Sequence, residues 1–149
     1  MPGDLLVDTN VLVFAYDRTD AGKQARALAT LTGLVDRRRG KLSAQILGEF
    51  FRVVTVKLRP PLPMSHALGE TLTLARTWPV LPVTAIVVLY AARTTAIYGL
   101  SYYDAQICAA ARVNRIETVL SEDFQDGRII DGVAFRNPFA PAFDLAQLD

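Results

Sequence analysis

The stretch DLLVDTNVLVF, residues 4–14, indicates how the chain folds. Its first part, DLLV (4–7), is a short apolar run of the kind found in strands buried inside a parallel sheet. Asp8 follows this run directly, and helical spacing begins near Val11, so one of residues 8–10 could cap that helix. A strand that leads at once into a helix favours an α/β fold.

The alternation of strand and helix continues along the chain. We predict helices over residues 21–39, 45–58, 65–78 and 84–99 and around Asp104, and short strands at 41–44, 79–83 and 118–121. Prolines in RPPLPM (59–64) end one helix, Ser65 is predicted to cap the next, and Gly99 to end the fourth. This order predicts a single α/β domain over residues 1–149 with a mainly parallel sheet and an irregular tail over about 137–149.

Composition excludes several classes of protein. A chain of 149 residues with 51% hydrophobic and 21% charged residues suffices for one substantial core. The N-terminus lacks the basic segment of a secretory signal, and the longest apolar run, Val80–Ala92, contains Pro82 and is shorter than the roughly 20 residues of a membrane span. Cys108 is the only cysteine, which excludes an intramolecular disulfide and a cysteine zinc site. We therefore expect a cytoplasmic protein without a membrane segment.

Two acidic residues follow predicted strands. Asp8 comes directly after LLV, and Asp123 lies just past TVLS (118–121). Open α/β sheets bind ligands at the carboxyl ends of their strands, so both side chains are candidates for a functional site. Each also has a structural interpretation, because Asp8 could cap a helix and Asp123 could begin the turn EDFQDG.

Two more acids lie on helices beside apolar residues. Glu49 has Ile46 and Val53 as helical neighbours, and its structural alternative is an ion pair with Arg52. Asp104 begins an apolar stripe in SYYDAQICAAARV (101–113), where Ser101 and Asp104 also approximate a capping box. Structural and functional interpretations both stay open for these positions.

If these four carboxylates converge, they need a cation. Two carboxylates about 4 Å apart repel by roughly 4 kcal/mol at an effective dielectric constant of 20, so a cluster of four binds protons or a metal ion. Oxygen ligands without histidine or thiolate favour Mg²⁺ or Mn²⁺ over zinc. The single histidine, His66, is predicted on a helix surface, so Ser–His or Cys–His catalysis has little support. A metal-activated water is the favoured nucleophile.

Four segments carry a resemblance to a known family. VDTNVLVFAYD with Asp8, AQILGEFFRV with Glu49, LSYYDAQICAAAR with Asp104 and TVLSEDFQDG with Asp123 resemble the four acidic motifs of PIN-domain ribonucleases in order and approximate spacing. The similarity is greatest to VapC-type toxins of bacterial toxin–antitoxin pairs, and it extends from Leu5 to about Phe139, where GVAFRNPF resembles the family's last segment.

The resemblance implies a fold, an activity and partners. It implies an α/β/α sandwich around a parallel sheet, a Mg²⁺- or Mn²⁺-dependent endoribonuclease, frequent homodimers, and a small antitoxin protein that blocks the site. Asp8 and Asp104 match the family's principal metal ligands, and Glu49 and Asp123 match the acids that complete the pocket.

Three further residues are candidates for supporting roles. Asn10 could orient a ligand or a water molecule, and Ser121 could fix the carboxylate of Asp123. Whether Asp123 or Asp126 is the last acid of the site stays open, because Asp126 precedes Gly127 and could be a turn residue.

Basic residues suggest how RNA could be held. The formal net charge is +1, and four of the 15 acidic residues belong to the predicted cluster, so the rest of the chain is net basic. The densest basic run is Arg37, Arg38, Arg39 and Lys41. We predict phosphate contacts there, although a solvated helix end would have the same composition.

Other functions fit part of the pattern. A HAD-like phosphotransferase expects a second aspartate two residues after the first, where this chain has Asn10. A two-carboxylate glycosidase needs neither a metal nor four convergent acids. A non-catalytic PIN-like module that binds a partner, and a metal-dependent phosphohydrolase of another class, stay as alternatives to the nuclease.

Overall fold

The computed structural model describes residues 3–148. Its elements are, in chain order, β1 (Leu5–Val7), α1 (Thr9–Phe14), α2 (Ala21–Arg37), β2 (Gly40–Ser43), α3 (Ala44–Val56), α4 (Met64–Thr77), β3 (Val80–Leu81), α5 (Ala85–Tyr98), α6 (Tyr102–Val113), β4 (Thr118–Leu120), β5 (Ile129–Ile130) and β6 (Val133–Arg136). A short 3₁₀-helix, Leu145–Leu148, follows. Within these residues, no helix is long and apolar enough to cross a membrane.

The six strands form one sheet in the order β3-β2-β1-β4-β6-β5. All neighbouring strands are parallel except β5, which pairs antiparallel with β6. Right-handed crossovers place α1 to α4 on one face and α5 and α6 on the other, because the chain reverses direction across the sheet after β3. The predicted α/β/α sandwich with a mainly parallel sheet is therefore confirmed.

Strand β1 lies at the centre of the sheet, between β2 and β4. Its residues are buried on both faces, which is why DLLV is continuously apolar. The chain order reverses between β1 and β4, so the ends of these two strands meet where α/β sheets bind ligands. The pairing of Val7 with Leu120 sets the register of β1 and β4 at these ends.

Two predicted helix starts are wrong. Helix α4 begins at Met64 after Pro63, and no side chain caps it, so Ser65 is not the capping residue. Helix α1 begins at Thr9 rather than near Val11, because Asp8 is its N-cap and accepts a hydrogen bond from the Thr9 amide. The predicted end of α5 at Gly99 is confirmed, with a left-handed φ of 71°.

The β5–β6 hairpin was not predicted. Strand β5 has only two residues, of which Ile129 is exposed, so it gives no periodic signal. Strand β6 nevertheless pairs with β4 inside the sheet and buries Val133 and Phe135. The tail beyond it is mainly irregular, as expected, and packs Phe139 and Phe143 against the core.

Candidate metal and nucleic-acid site

All four predicted acids line one cleft of about 370 Å³ at the carboxyl ends of β1 and β4. Asp8 follows β1 and Asp123 follows β4, which are neighbouring strands. Glu49 projects from α3 and Asp104 from the first turn of α6. The sheet topology therefore brings together residues that are far apart in the chain.

Asp8 is the most rigidly held of the four. It is 3% exposed, and its carboxylate accepts hydrogen bonds from the Ser121 hydroxyl at 2.7 Å and the Thr9 amide at 2.7 Å. The Asn10 side-chain amide donates to Asp8 at 3.4 Å and to the Ser121 hydroxyl at 3.1 Å. The side-chain oxygen of Asn10 accepts a hydrogen bond from the backbone amide of Glu122 at 3.2 Å. Asn10 thus connects the ends of β1 and β4.

Burial raises the pKa of Asp8 to about 6. The hydrogen bonds from Ser121 and Thr9 lower it, but the negative charges of Asp123 and Glu49 raise it further. The charged form is therefore disfavoured in the absence of a cation, even though the carboxylate has good donors. A divalent cation in the cleft would reverse this effect.

Glu49 is held by two neutral side chains. Its Oε2 accepts from the Thr9 hydroxyl at 2.9 Å, and its Oε1 accepts from the Gln45 amide at 3.1 Å. Gln45 also donates to the carbonyl of Tyr103 at 3.0 Å. In the described part of the chain, the alternative ion pair between Glu49 and Arg52 does not form.

Asp104 and Asp123 combine local structural roles with a place in the cleft. The amide of Asp104 donates to the Ser101 hydroxyl at 3.3 Å, so Ser101 caps α6 as predicted. The amide of Asp123 donates to the Ser121 hydroxyl at 3.1 Å. No residue between 3 and 148 donates a hydrogen bond to either carboxylate, so both can reorient toward a ligand.

Two predictions about the last motif can be compared with the structure. Ser121 contacts the Asp8 carboxylate and the Asp123 amide, so its expected contact with the Asp123 carboxylate is wrong. Asp126 lies outside the cleft, where it accepts from the Asn137 amide at 2.9 Å and lies 3.4 Å from Arg136 Nε. Asp123, rather than Asp126, is the acid that lines the cleft.

The predicted basic run does not lie near the acids. It precedes or begins β2, so it is at the amino ends of the strands, opposite the cleft. Arg39 is 7% exposed and donates to the carbonyls of Gly3 and Leu148, while Lys41 lies 3.5 Å from Asp4. Arg37 ends α2, and Arg38 is its left-handed cap. RNA binding by this run stays a prediction.

Sequence reasoning missed several residues that shape the cleft. Thr9 and Gln45 hold Glu49, and Arg52 and Lys57 line the cleft with the acids. Gln45 could have been found from its position four residues before Glu49, since side chains at that spacing are neighbours on a helix. The position of Lys57 depends on how α3 packs and has no sequence signal.

The donor set fits a hard divalent cation in its chemistry. Carboxylate oxygens line the cleft, whereas His66 is exposed on α4 beside Glu70 and Cys108 is buried in α6. Burial raises the pKa of the Cys108 thiol to about 12, and Cys108 does not line the cleft. Among the described residues, no three acidic, histidine or cysteine side chains are grouped closely enough to hold an ion together. The acids therefore share a cleft without converging on one point.

Known proteins share this architecture. Similar solved structures include a toxin–antitoxin complex from Klebsiella pneumoniae, with 18% identity, a TM-score of 0.66 and coverage of 91% of this chain and 98% of that chain. FitAcB from Neisseria gonorrhoeae has 23% identity, a TM-score of 0.65 and the same coverage. VapC20 from Mycobacterium tuberculosis, a sarcin–ricin loop cleaving toxin, has 19% identity, a TM-score of 0.61 and coverage of 78% and 87%. At these identities the likeness shows a common fold.

Sequence comparison gives the family. No curated protein sequence is significantly similar to the chain. The sequence profile of the PIN domain matches residues 5–128, a range that includes all four acids of the cleft. The chain therefore belongs to the PIN domain family.

Proposed function

We propose that this PIN domain is a Mg²⁺- or Mn²⁺-dependent endoribonuclease that acts in the cytoplasm as the toxin of a toxin–antitoxin pair. The proposal rests on the cleft lined by Asp8, Glu49, Asp104 and Asp123. The negative charges of Asp123 and Glu49 contribute to the raised pKa of Asp8, and they support the proposal because a cation bound among the three carboxylates would offset their repulsion. A further support is the fold shared with VapC20, which is a sarcin–ricin loop cleaving toxin.

The four acids have different freedom in the cleft. Asp8 and Glu49 are oriented by hydrogen bonds, so they form the fixed part of a metal site. Asp104 and Asp123 have unbonded carboxylates and would complete the site by reorienting. A bound divalent cation supplies an activated water and neutralises charge on the phosphate. Asn10 and Ser121 would keep the Asp8 carboxylate in place while it binds the cation.

The first test is cleavage of end-labelled RNA with Mg²⁺ or Mn²⁺ and with EDTA. We expect cleavage only with the metal, and products with 5′-phosphate and 3′-hydroxyl ends, because no histidine lines the cleft to activate the RNA 2′-hydroxyl. Undiminished cleavage in EDTA would contradict metal dependence. Products with 2′,3′-cyclic phosphates would contradict the water nucleophile.

Variants separate the roles of the acids in the same assay. Asp8→Asn and Asp104→Asn should reduce cleavage by more than about 100-fold, since the amide keeps the size and removes the charge. Glu49→Gln and Asp123→Asn should also impair cleavage. Asp126→Asn is the matched control and should retain it, because Asp126 lies outside the cleft. An inactive Asp126→Asn beside an active Asp123→Asn would show that the last acid is wrongly assigned.

The alternatives give different results in these assays. A non-catalytic module would bind Mn²⁺ or RNA without turnover under any condition. A metal-dependent phosphohydrolase of another class would hydrolyse a small phosphomonoester such as p-nitrophenyl phosphate and leave RNA intact. Both outcomes are distinguishable from metal-dependent RNA cleavage.

An apolar stripe on α4 supports an antitoxin partner. Met64, Leu68 and Leu72 are 63%, 54% and 45% exposed and recur at the spacing of one helix face. Phe50 and Val54 of the neighbouring helix α3 are fully buried in the core, so they are not available for such a contact. We therefore restrict the proposed antitoxin contact to α4, where a helix could bind with its apolar side.

Expression in the native host or a relative tests the toxin role. The chain alone should arrest growth, and co-expression of a neighbouring small antitoxin gene should restore it. Asp8→Asn should abolish toxicity and keep the complex, whereas Leu68→Glu should weaken the complex, because it places a charge on the exposed stripe. Harmless expression of active protein without a co-purifying partner would exclude the toxin role and leave the nuclease.

A second apolar surface supports the proposed homodimer. Helix α5 is buried at Val87 and Ala91 but exposes Ile86, Leu89 and Ile97 by 58%, 69% and 60%. An exposed apolar surface of this kind commonly marks a protein interface. We propose that two copies of the chain associate through α5.

A further inference from the structure

The acidic cleft also has a basic side. Arg52 of α3 and Lys57, which follows the last turn of α3, line the cleft with the four acids. Within residues 3–148, neither side chain forms an ion pair with a carboxylate. Two cations thus stay unneutralised beside a cluster of acids.

Neutral side chains orient Glu49, and Arg52 does not pair with it. Arg52 lies three residues after Glu49 on α3, a spacing at which an ion pair commonly forms. Both carboxylate oxygens of Glu49 already accept hydrogen bonds, from the Thr9 hydroxyl and the Gln45 amide. An ion pair at this spacing would contribute little stability, so leaving Arg52 available for another anion costs little.

The cleft continues into a second cavity of about 250 Å³. The two cavities share Val13, Val53 and Lys57, so they form one groove with Lys57 at the junction. The second cavity extends to Leu58 and Arg59. A ligand bound at the acids can therefore continue along the groove past Lys57.

Arg59 is held in place at the far end of the groove. Its Nη1 donates to the carbonyls of Val56 at 2.7 Å and Leu58 at 3.0 Å, which orients the guanidinium without neutralising it. Asp17 lines the same cavity, but its Oδ1 already accepts from the amide and hydroxyl of Thr19 at 2.9 and 2.6 Å. We refer to Arg52, Lys57 and Arg59 as the basic ledge.

The basic ledge extends along α3 with increasing distance from the acids. Lys57 follows Glu49 by eight residues, roughly 12 Å along a helix axis. A ligand that contacts both ends must therefore be extended and must carry repeated negative charges. A single-stranded polynucleotide has this form, with one phosphate at the acids and further phosphates along the groove.

We propose that the basic ledge binds the RNA phosphates next to the scissile phosphate. This inference rests on the proposed nuclease function and names the residues that position its substrate. Such contacts orient the strand in the cleft without reading its sequence. The ledge, rather than the basic run at Arg37–Lys41, is then the main phosphate-binding surface.

The test measures binding of a fluorescein-labelled single-stranded RNA of mixed sequence by anisotropy, in Mg²⁺ and in an Asp8→Asn background that leaves the RNA intact. Arg52→Gln and Lys57→Gln should each raise Kd several-fold and lower the slope of log Kd against log salt by about 0.7. Lys57→Arg keeps the charge and should restore the slope. Arg38→Gln, the same charge change in the basic run at the end of α2, should raise Kd less than either ledge variant does.

Each other outcome has a definite meaning. If the Asp8→Asn protein binds RNA and both ledge variants bind equally well, the ledge proposal is wrong and the nuclease stands. If Arg38→Gln weakens binding more than the ledge variants, the phosphates bind at the opposite edge. Loss of antitoxin binding with normal RNA binding would make the ledge a protein interface. If no form binds or cleaves RNA, the proposed function itself fails.

Discussion

Asp8 combines a structural role with a proposed chemical role at the same position. Its carboxylate caps α1 through the Thr9 amide and also lines the cleft. Capping and ligand binding are compatible because the N-terminus of a helix favours negative charge. Burial opposes that charge, and the raised pKa shows that burial and the neighbouring acids have the larger effect. Asp8, which we propose as a metal ligand, is thus a destabilising residue of the metal-free fold at neutral pH.

This conflict predicts a pH-dependent stability. Because the folded-state pKa of about 6 exceeds the ordinary value of 3.8, the contribution of Asp8 to stability is present below pH 4 and lost as pH rises through 6. The loss corresponds to at most about 3 kcal/mol at 1.36 kcal/mol per pH unit. Asp8→Asn should therefore raise the metal-free unfolding free energy at pH 7.5 by about 1–3 kcal/mol and make little difference at pH 4.

Urea denaturation in EDTA at both pH values measures this effect. Asp126→Asn is the control, since Asp126 is 45% exposed by side chain and lies outside the cleft. Mg²⁺ should then stabilise the wild type more than Asp8→Asn. A less stable Asp8→Asn at pH 7.5 would show that its hydrogen bonds with Ser121 and Thr9 outweigh the cost of the buried charge.

At the scale of elements, Gln45 connects α3 and α6. Its amide donates to Glu49 on its own helix and to the Tyr103 carbonyl of α6, which immediately precedes Asp104. Gln106 of α6 donates to the Gln45 oxygen at 2.8 Å and so fixes which way the Gln45 amide points. This network sets the separation of the two helices at the cleft.

Removal of this link should weaken metal binding. Gln45→Met keeps the length of the side chain and removes its donors, so Glu49 loses one partner and α6 loses its tie to α3. We expect about a 10-fold loss of Mn²⁺ affinity by calorimetric titration, because contacts behind a metal ligand have effects of this size. Gln147→Met, in the exposed tail, is the control. Unchanged Mn²⁺ affinity in Gln45→Met would show that Glu49 needs no support from α6.

At the scale of the whole molecule, helices α4 and α5 each expose an apolar surface. A monomeric protein without partners rarely exposes such surfaces. Leu68 and Leu72 on α4, and Leu89 and Ile97 on α5, are exposed although they are large and apolar. The two helices lie on opposite faces of the sheet, so the two surfaces can bind different partners at once.

The dimer prediction concerns α5. Light scattering coupled to gel filtration should give twice the chain mass of 16.3 kDa for the wild type. Leu89→Glu should shift it to the monomer mass, because a charge within an apolar interface stays unpaired. Leu28→Glu on α2, where the native leucine is 48% exposed, is the matched control and should remain dimeric. A monomeric wild type at tens of micromolar would contradict the α5 interface.

Local sequence by itself determined most of the helices and the central strand. These elements depend on interactions between residues that are close in the chain, so the sequence predicts them. Examples are the apolar run before Asp8, the Ser101 cap and the helix end at Gly99. The order of the four acidic motifs also indicated a family, because it extends over most of the sequence.

Only the tertiary structure decided which polar residues meet. The parallel pairing of β1 with β4 brings Ser121 to Asp8 and leaves Asp126 at the hairpin, and no local period encodes that pairing. The strand order also places the Arg37–Lys41 run, the densest in basic charge, at the amino ends of the strands, away from the cleft. Periodicity reports which face of an element is apolar, whereas the neighbours of a side chain depend on the order of strands that are far apart in sequence.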